Sequence, residues 1–184
     1  MSDVRIFRPM EVLPASIGAS IVGLDNRVWP PASGDYEGNL SRAQTEWNER
    51  RGIHCVVMGD KKPSEVVAYS YIFLRDVFTR EGVLGIGALA GVCVDPAYRG
   101  RGLGADVAMA AFAVMSELGV EVSLFQTGVP QFYEKLGGRV VNNQFYNGHK
   151  PDDKGNPFWD SVEMIYPATF LWPEGDIDLN GEGY

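Results

Sequence analysis

The sequence predicts an α/β (α+β) fold, and three observations carry that prediction. Ile53 to Met58, Glu65 to Thr79 and the run ending at Asp95 are apolar, β-prone stretches. The turns Gly59-Asp60-Lys61-Lys62-Pro63 and Arg80-Glu81-Gly82 join them, which is hairpin organisation. The third stretch then passes through Asp95-Pro96 and a Gly-rich segment into the Ala-rich run Ala105 to Leu118, so strand, loop and helix follow in order. Adjacent hairpin strands followed by strand-loop-helix define the class.

Taken in order, Val4 to Phe7 alternates and predicts a first strand. Pro14 to Val28 predicts a helix with Ile17, Ile21 and Leu24 on one face, ended by Trp29-Pro30-Pro31. Ala32 to Asn39 is Gly- and Ser-rich and predicts a loop carrying Asp35 and Glu37. A second helix is predicted from Ser41, as cap, to Arg50. Ile53 to Met58 is a strand, and Glu65 to Thr79 a long strand of alternating character. Gly119 closes the Ala-rich helix in the place of a C-cap. Val120 to Phe125 is an apolar strand, and Val129 to Leu136 a short helix opened by Pro130. Arg139 to Tyr146 and Phe158 to Tyr166 are the remaining strands, with a polar loop, Asn147 to Pro157, between them. Pro167 to Tyr184 forms a tail. No repeat or linker divides the chain, so its 184 residues read as one domain, 1–184.

Composition narrows the function classes. Hydrophobic content of 45% and charged content of 22% are ordinary for a globular protein. No apolar run is long enough to span a membrane, and the N-terminal residues lack a signal peptide's basic and apolar regions, so a cytoplasmic protein is expected. Cys55 and Cys93 lie in apolar runs and read as reduced core residues. No Cys/His cluster has metal-ligand spacing, so no metal is expected. A net charge of −8 disfavours nucleic acid as a partner and is compatible with a cationic substrate.

The Gly-rich segment Arg99-Gly100-Arg101-Gly102-Leu103-Gly104 carries the chemistry. A strand, a tight loop and a helix start aim several free N–H groups at one point, and the helix dipole adds partial positive charge there. Glycine lets the backbone approach an anion, and Arg99 and Arg101 can add charge-assisted hydrogen bonds to phosphate oxygens. The spacing does not continue as a dinucleotide fingerprint, and no Gly-Lys-Ser/Thr follows as a P-loop requires.

What the segment does match is R-x-x-G-x-G, at Arg99, Gly102 and Gly104. It resembles the pyrophosphate loop of the GNAT superfamily of acyl-CoA-dependent N-acetyltransferases. Gly91 to Pro96 looks like that family's fourth strand and exit turn, and Phe132-Tyr133-Glu134-Lys135-Leu136-Gly137 like its F-Y-x-x-L-G segment. The resemblance implies the GNAT fold, a central mixed, mostly antiparallel sheet flanked by helices, and acetyl-CoA as cosubstrate. It implies that the backbone of Val92, Cys93 and Val94 holds the pantetheine arm and acyl carbonyl, and that Arg99 to Gly104 holds the pyrophosphate. Tyr133 matches the tyrosine that often protonates the departing thiolate; taken alone, it would read as a core aromatic.

A finer resemblance lies outside that stretch. Gly34-Asp35-Tyr36 and Pro151-Asp152-Asp153-Lys154-Gly155 look like loops of the aminoglycoside 2'-N-acetyltransferases, where acidic residues contact a cationic aminosugar. The tail, Trp172 to Gly181, is similar to the ends of those enzymes and of the rhizobial nodulation acyltransferases. The resemblance therefore implies Asp35, Asp152, Asp153 and Asp176 as substrate contacts, against the competing reading that Asp beside Gly is turn chemistry. Homodimers, common among these relatives, are a further expectation. Where the aminoglycoside enzymes carry a basic glutamate, this chain has Ala90, which leaves the base to Asp35, Asp153, the acidic tail or bulk water. The alternatives are a GNAT enzyme acting on a polyamine, an amino acid or a protein N-terminus, and a non-catalytic CoA-binding module of the same fold.

Overall fold

A computed structural model describes residues 2–30, 36–153 and 155–184. The chain divides into two compact units, Met1–Phe73 with Ala90–Val114, and Leu74–Leu89 with Met115–Tyr184.

The first unit is built on β1 (Val4–Phe7), β2 (Ile53–Met58) and parts of β3 (Val66–Thr79) and β4 (Gly82–Val94), in the order β1-β2-β3-β4. β1 pairs antiparallel with β2, and β2 with β3, the register shifting at Val57/Met58. The first eight residues of β3 are all buried, so the strand does not alternate as the sequence predicts. Helices explain the difference. Val57, Val67 and Ala68 pack with Leu103 and Val107 of α3 (Leu103–Ala113), while Trp47 of α2 (Tyr36–Arg50) meets the His54 ring edge-on at 5.1 Å. A strand covered on both faces reads as a continuous apolar run.

α1 (Ala15–Val28) forms as predicted and buries Ile17, Ile21 and Leu24 together with Gly18 and Val22. A Cβ on Gly18 would make an ordinary van der Waals contact with the Trp47 ring at 3.5 Å, so α1 and α2 lie close together at this position. α2 begins at Tyr36, where the sequence predicts loop as far as Asn39. Ser41 therefore lies inside the helix and is not its cap; its carbonyl accepts a 3.0 Å hydrogen bond from Thr45 Oγ1. Gly38 and Asn39 are weak helix formers, but Asn39 Nδ2 donates to Asn26 Oδ1 of α1 at 2.7 Å, a tertiary bond that local propensity cannot anticipate. α3 starts two residues before the prediction and stops at Ala113; a 3-10 turn, Met115–Leu118, completes the predicted span up to Gly119, whose φ is 73°.

In the second unit β4 pairs parallel with β5 (Ser123–Gln126), through Gly87↔Ser123 and Ala88↔Leu124. β5 and β6 (Arg139–Val141) both pair antiparallel with β8 (Glu163–Tyr166). β7 (Phe145–Tyr146) pairs parallel with β9 (Ile177–Asp178), which also touches β3 at Phe78↔Asp178. Mixed but mostly antiparallel pairing matches the expectation. α4 (Pro130–Lys135) is the predicted short helix. The predicted strand Arg139 to Tyr146 is divided because Asn143 turns to the tail: its Nδ2 donates to the Pro173 and Gly175 carbonyls, and its Oδ1 accepts from Trp172 Nε1. β5 begins later than predicted, and β8 keeps only the last four residues of its predicted span. The tail is not loose, for Ile177, Leu179 and Tyr184 are buried and Tyr184 Oη donates to the Leu124 carbonyl at 3.0 Å.

Candidate active site

The site begins with how β4 ends. Asp95 leaves the strand with its N–H bonded to the Val67 carbonyl, and its Oδ1 accepts from Ala97 N at 2.9 Å. Its other oxygen, Oδ2, accepts from Arg27 Nε of α1 at 2.9 Å. The Asp-Pro pair thus ends the strand, caps the turn Pro96–Tyr98 and ties it to a helix. Gly100 and Gly102 follow at φ 78° and 81°, the left-handed region that favours glycine. Gly102 is the N-cap of α3 and contributes no side-chain cap. The first N–H groups of an α-helix have no intrahelical acceptor, so these amides are available to an anion. A Cβ built on Gly100 or Gly102 meets nothing within 4 Å: open space adjoins the loop where an anion would sit.

The flanking residues divide their work. Leu103 is buried against Val57, Val67 and Val107 and anchors the loop, while Gly104 lies half-buried in the first turn. Arg99 is exposed, with no ion pair among the described residues. Arg101 is engaged: its guanidinium lies 4.9 Å over the Tyr98 ring and 3.3 Å from Asp60 Oδ2. Arg99 is therefore the readier phosphate donor of the two. Val92 and Val94 pack toward α3, whereas Cys93 is buried, its thiol pKa pushed up by burial. Cys93 is thus a neutral thiol that packs, not a nucleophile. Gly91 has a φ of 62°, and its Cβ position lies 3.2 Å from the Tyr69 ring. A tight loop with bare N–H groups, open space at two left-handed glycines and a nearby free cation fits a pyrophosphate.

Apart from Asp35, the other predicted residues belong to the second unit. Tyr133 is buried in α4, 4.5 Å from the Phe125 ring and 4.8 Å from Phe132. Asp152 and Asp176 are exposed. Asp153 Oδ1 accepts from Gly155 N at 2.9 Å, the turn chemistry that competes with a substrate role. Asp35 lies outside the described residues. No group of His, Cys, Asp and Glu able to hold a metal occurs among the described residues.

One charged residue of the first unit is not singled out by the sequence. Asp25 lies four residues after Ile21 and three after Val22, so it shares the buried face of α1. Desolvation raises its pKa, and among the described residues no hydrogen bond or ion pair reaches its side chain. The sequence signal is an acid within an apolar helical stripe.

The profile of the Acetyltransferase (GNAT) family matches residues 20–138, and the chain belongs to that family. It is a GNAT N-acetyltransferase. It is similar to the glucosamine 6-phosphate N-acetyltransferase of Trypanosoma brucei brucei, 31% identical over 118 residues that cover 62% of this chain and 76% of the relative. A solved Trypanosoma brucei acetyltransferase matches with a TM-score of 0.58 at 25% identity, over 76% of this chain and 95% of that one. A GNAT family N-acetyltransferase from Escherichia coli, solved in complex with CoA, matches with a TM-score of 0.64 at 16% identity, over 96% of this chain and 88% of that one. The architecture is the GNAT fold. Among the described residues no helix is long and apolar enough to cross a membrane.

Proposed function

We propose that this chain is an acetyl-CoA-dependent N-acetyltransferase that acetylates an amino group of an aminosugar by direct transfer, first of all a polycationic, aminoglycoside-type sugar. The observation that carries the cosubstrate is the loop at the start of α3, with glycines at φ 78° and 81° and open space beside them. Arg99 to Gly104 bind the pyrophosphate, Arg99 supplying the free cation, and the backbone of Val92, Cys93 and Val94 orients the arm and the acyl carbonyl. Bound acetyl-CoA supplies an acyl group already activated as a thioester. Tyr133 gives its phenolic proton to the departing sulfur. Asp152 and Asp176, exposed carboxylates on a chain of net charge −8, attract and orient a cationic acceptor. Buried, reduced Cys55 and Cys93 agree with a cytoplasmic setting.

A second reading comes from the curated relative, whose name gives glucosamine 6-phosphate as its acceptor. Both acceptors present a sugar amine, but they differ in the sign of the added charge. The test is thiol release from acetyl-CoA with aminoglycosides, glucosamine, glucosamine 6-phosphate, polyamines and amino acids, the acetylated nitrogen being located by NMR. Turnover of an aminoglycoside supports the first reading. Turnover of glucosamine 6-phosphate alone selects the second. Turnover confined to polyamines or amino acids keeps the cosubstrate and discards the sugar.

A further inference from the structure

We propose that Asp25 of α1 is the proton acceptor for the incoming amine, filling the role left vacant by Ala90. This rests on the reading above, that acyl transfer takes place along Val92 to Val94.

Three geometric facts converge on Asp25. First, α1 buries Ile17, Gly18, Ile21, Val22 and Leu24, and helical spacing puts Asp25 on that same sheet-facing stripe in the last turn. Asp25 is half-buried there, and an acid in an apolar stripe with no partner among the described residues is out of pattern. Second, that last turn is fixed to the end of β4, since Arg27 Nε lies 2.9 Å from Asp95 Oδ2. Third, Val92 and Val94 pack toward α3, so strand alternation turns Cys93 to the opposite face. Tyr69 shares that side of β4, its ring against the Cβ position of Gly91 at 3.2 Å. Consistent with that arrangement, the Asp25 carboxylate adds to burial in raising the Tyr69 and Cys93 pKa values.

The surrounding charges leave this carboxylate available. From its own helix Arg27 is committed to Asp95. From α2, Asn39 binds Asn26 and Arg42 binds Asn39. Tyr69 of β3 and Cys93 of β4 are both neutral, their pKa values raised chiefly by burial. Desolvation alone raises the Asp25 pKa, which makes it a stronger base than an exposed aspartate. In the step, an N–H bond of the ammonium breaks and an O–H bond forms on Asp25. The freed nitrogen lone pair attacks the acyl carbon; as the C–S bond breaks, the sulfur takes the Tyr133 proton, the second nitrogen proton passes through water to Tyr133, and Asp25 returns its own proton to solvent after the product leaves.

The test compares wild type, Asp25→Asn and Asp25→Glu with the best acceptor from the amine panel, in four measurements: kcat, the pH profile of kcat/KM, acetyl-CoA affinity by calorimetry and thermal midpoint. Asp25→Asn is expected to lower kcat by roughly 100-fold or more, at the low end of what a positioned base contributes. It should abolish the acid limb of the profile, leave acetyl-CoA affinity unchanged, and keep or raise the midpoint, because a desolvated charge is removed. Asp25→Glu should recover part of the rate and retain the limb. An Asp25→Asn enzyme with the wild-type rate and profile would overturn the inference alone. A lowered midpoint with an unaltered profile would also overturn it, by showing a structural carboxylate. A wild type inactive on every amine would overturn the reading beneath it, and the inference with it.

Discussion

His54 sits where it cannot readily take a charge. It is 6% exposed, its Nδ1 lies 2.9 Å from the Tyr69 hydroxyl, and its ring is 4.6 Å from that of Tyr71. Burial lowers its pKa from 6.5 to about 4. The unfolded chain therefore binds a proton that the folded chain refuses. The contribution is fully present above the unfolded pKa and is lost as pH falls through the window from 6.5 to about 4. A difference of this size corresponds to about 3 kcal/mol. Urea midpoints measured at about pH 7.5 and about pH 4.5 should fall further for wild type than for His54→Gln, and equal falls would refute the assignment. Tyr133 is a residue of another kind, an aromatic packed on Phe125 and Phe132 whose hydroxyl we propose as the proton donor to the departing sulfur. Tyr133→Phe keeps the ring. Turnover should drop roughly 100-fold while the acetyl-CoA dissociation constant stays put, and an unchanged rate would reduce Tyr133 to packing.

Among the elements, we propose that the join between β4 and α3 decides cosubstrate binding. Its geometry needs left-handed backbone at Gly102, with φ 81°, and its chemistry needs bare N–H groups at the helix start. Gly102→Asp tolerates the backbone better than most replacements, because Asp visits the left-handed region, but it puts bulk and negative charge at the anion site. Calorimetry should find no acetyl-CoA binding by a variant that remains folded. Tight binding would mean that the phosphates sit elsewhere. The pair β7 and β9 depends instead on its fastenings. Asp178 Oδ1 accepts from Gly148 N and Asn180 N, both at 2.8 Å, and Lys150 Nζ meets Glu182 Oε1 at 2.7 Å, so the tail is pinned to the loop that follows β7.

On the scale of the whole molecule, β3 and β4 are each continuous through both compact units. We propose that the chain unfolds as one domain for that reason, with thermal transitions that coincide by near- and far-UV circular dichroism. Two separated transitions would count against it. Tyr184 adds a direct test of the tail as structure. Its ring packs 5.3 Å from Phe158 and 4.9 Å from the Arg75 guanidinium, and its hydroxyl bonds to the Leu124 carbonyl. Tyr184→Ala should cost about 3 kcal/mol, as large buried aromatics do, and a loss well under 1 kcal/mol would show a frayed end.

Much of this is legible in the chain itself, because it depends on neighbours in sequence. Asp95-Pro96 must end a strand; Gly100 and Gly102 must turn the loop; the Ala-rich run must follow as helix. Backbone sterics and hydrogen-bond periodicity act over a few residues, so the strand-loop-helix unit was determined by the sequence alone. Contacts across long separations were not. Asn143 breaks a predicted strand to hold Pro173 and Gly175, about thirty residues away, and Asn39 draws a Gly-containing loop into α2 by binding Asn26. Asp153 is spent on Gly155, and Arg101 on Asp60 and Tyr98, which leaves Arg99 as the free cation. Only the tertiary structure could show that Asp25 is half-buried and desolvated, since the environment of a side chain depends on which distant segments fold over it.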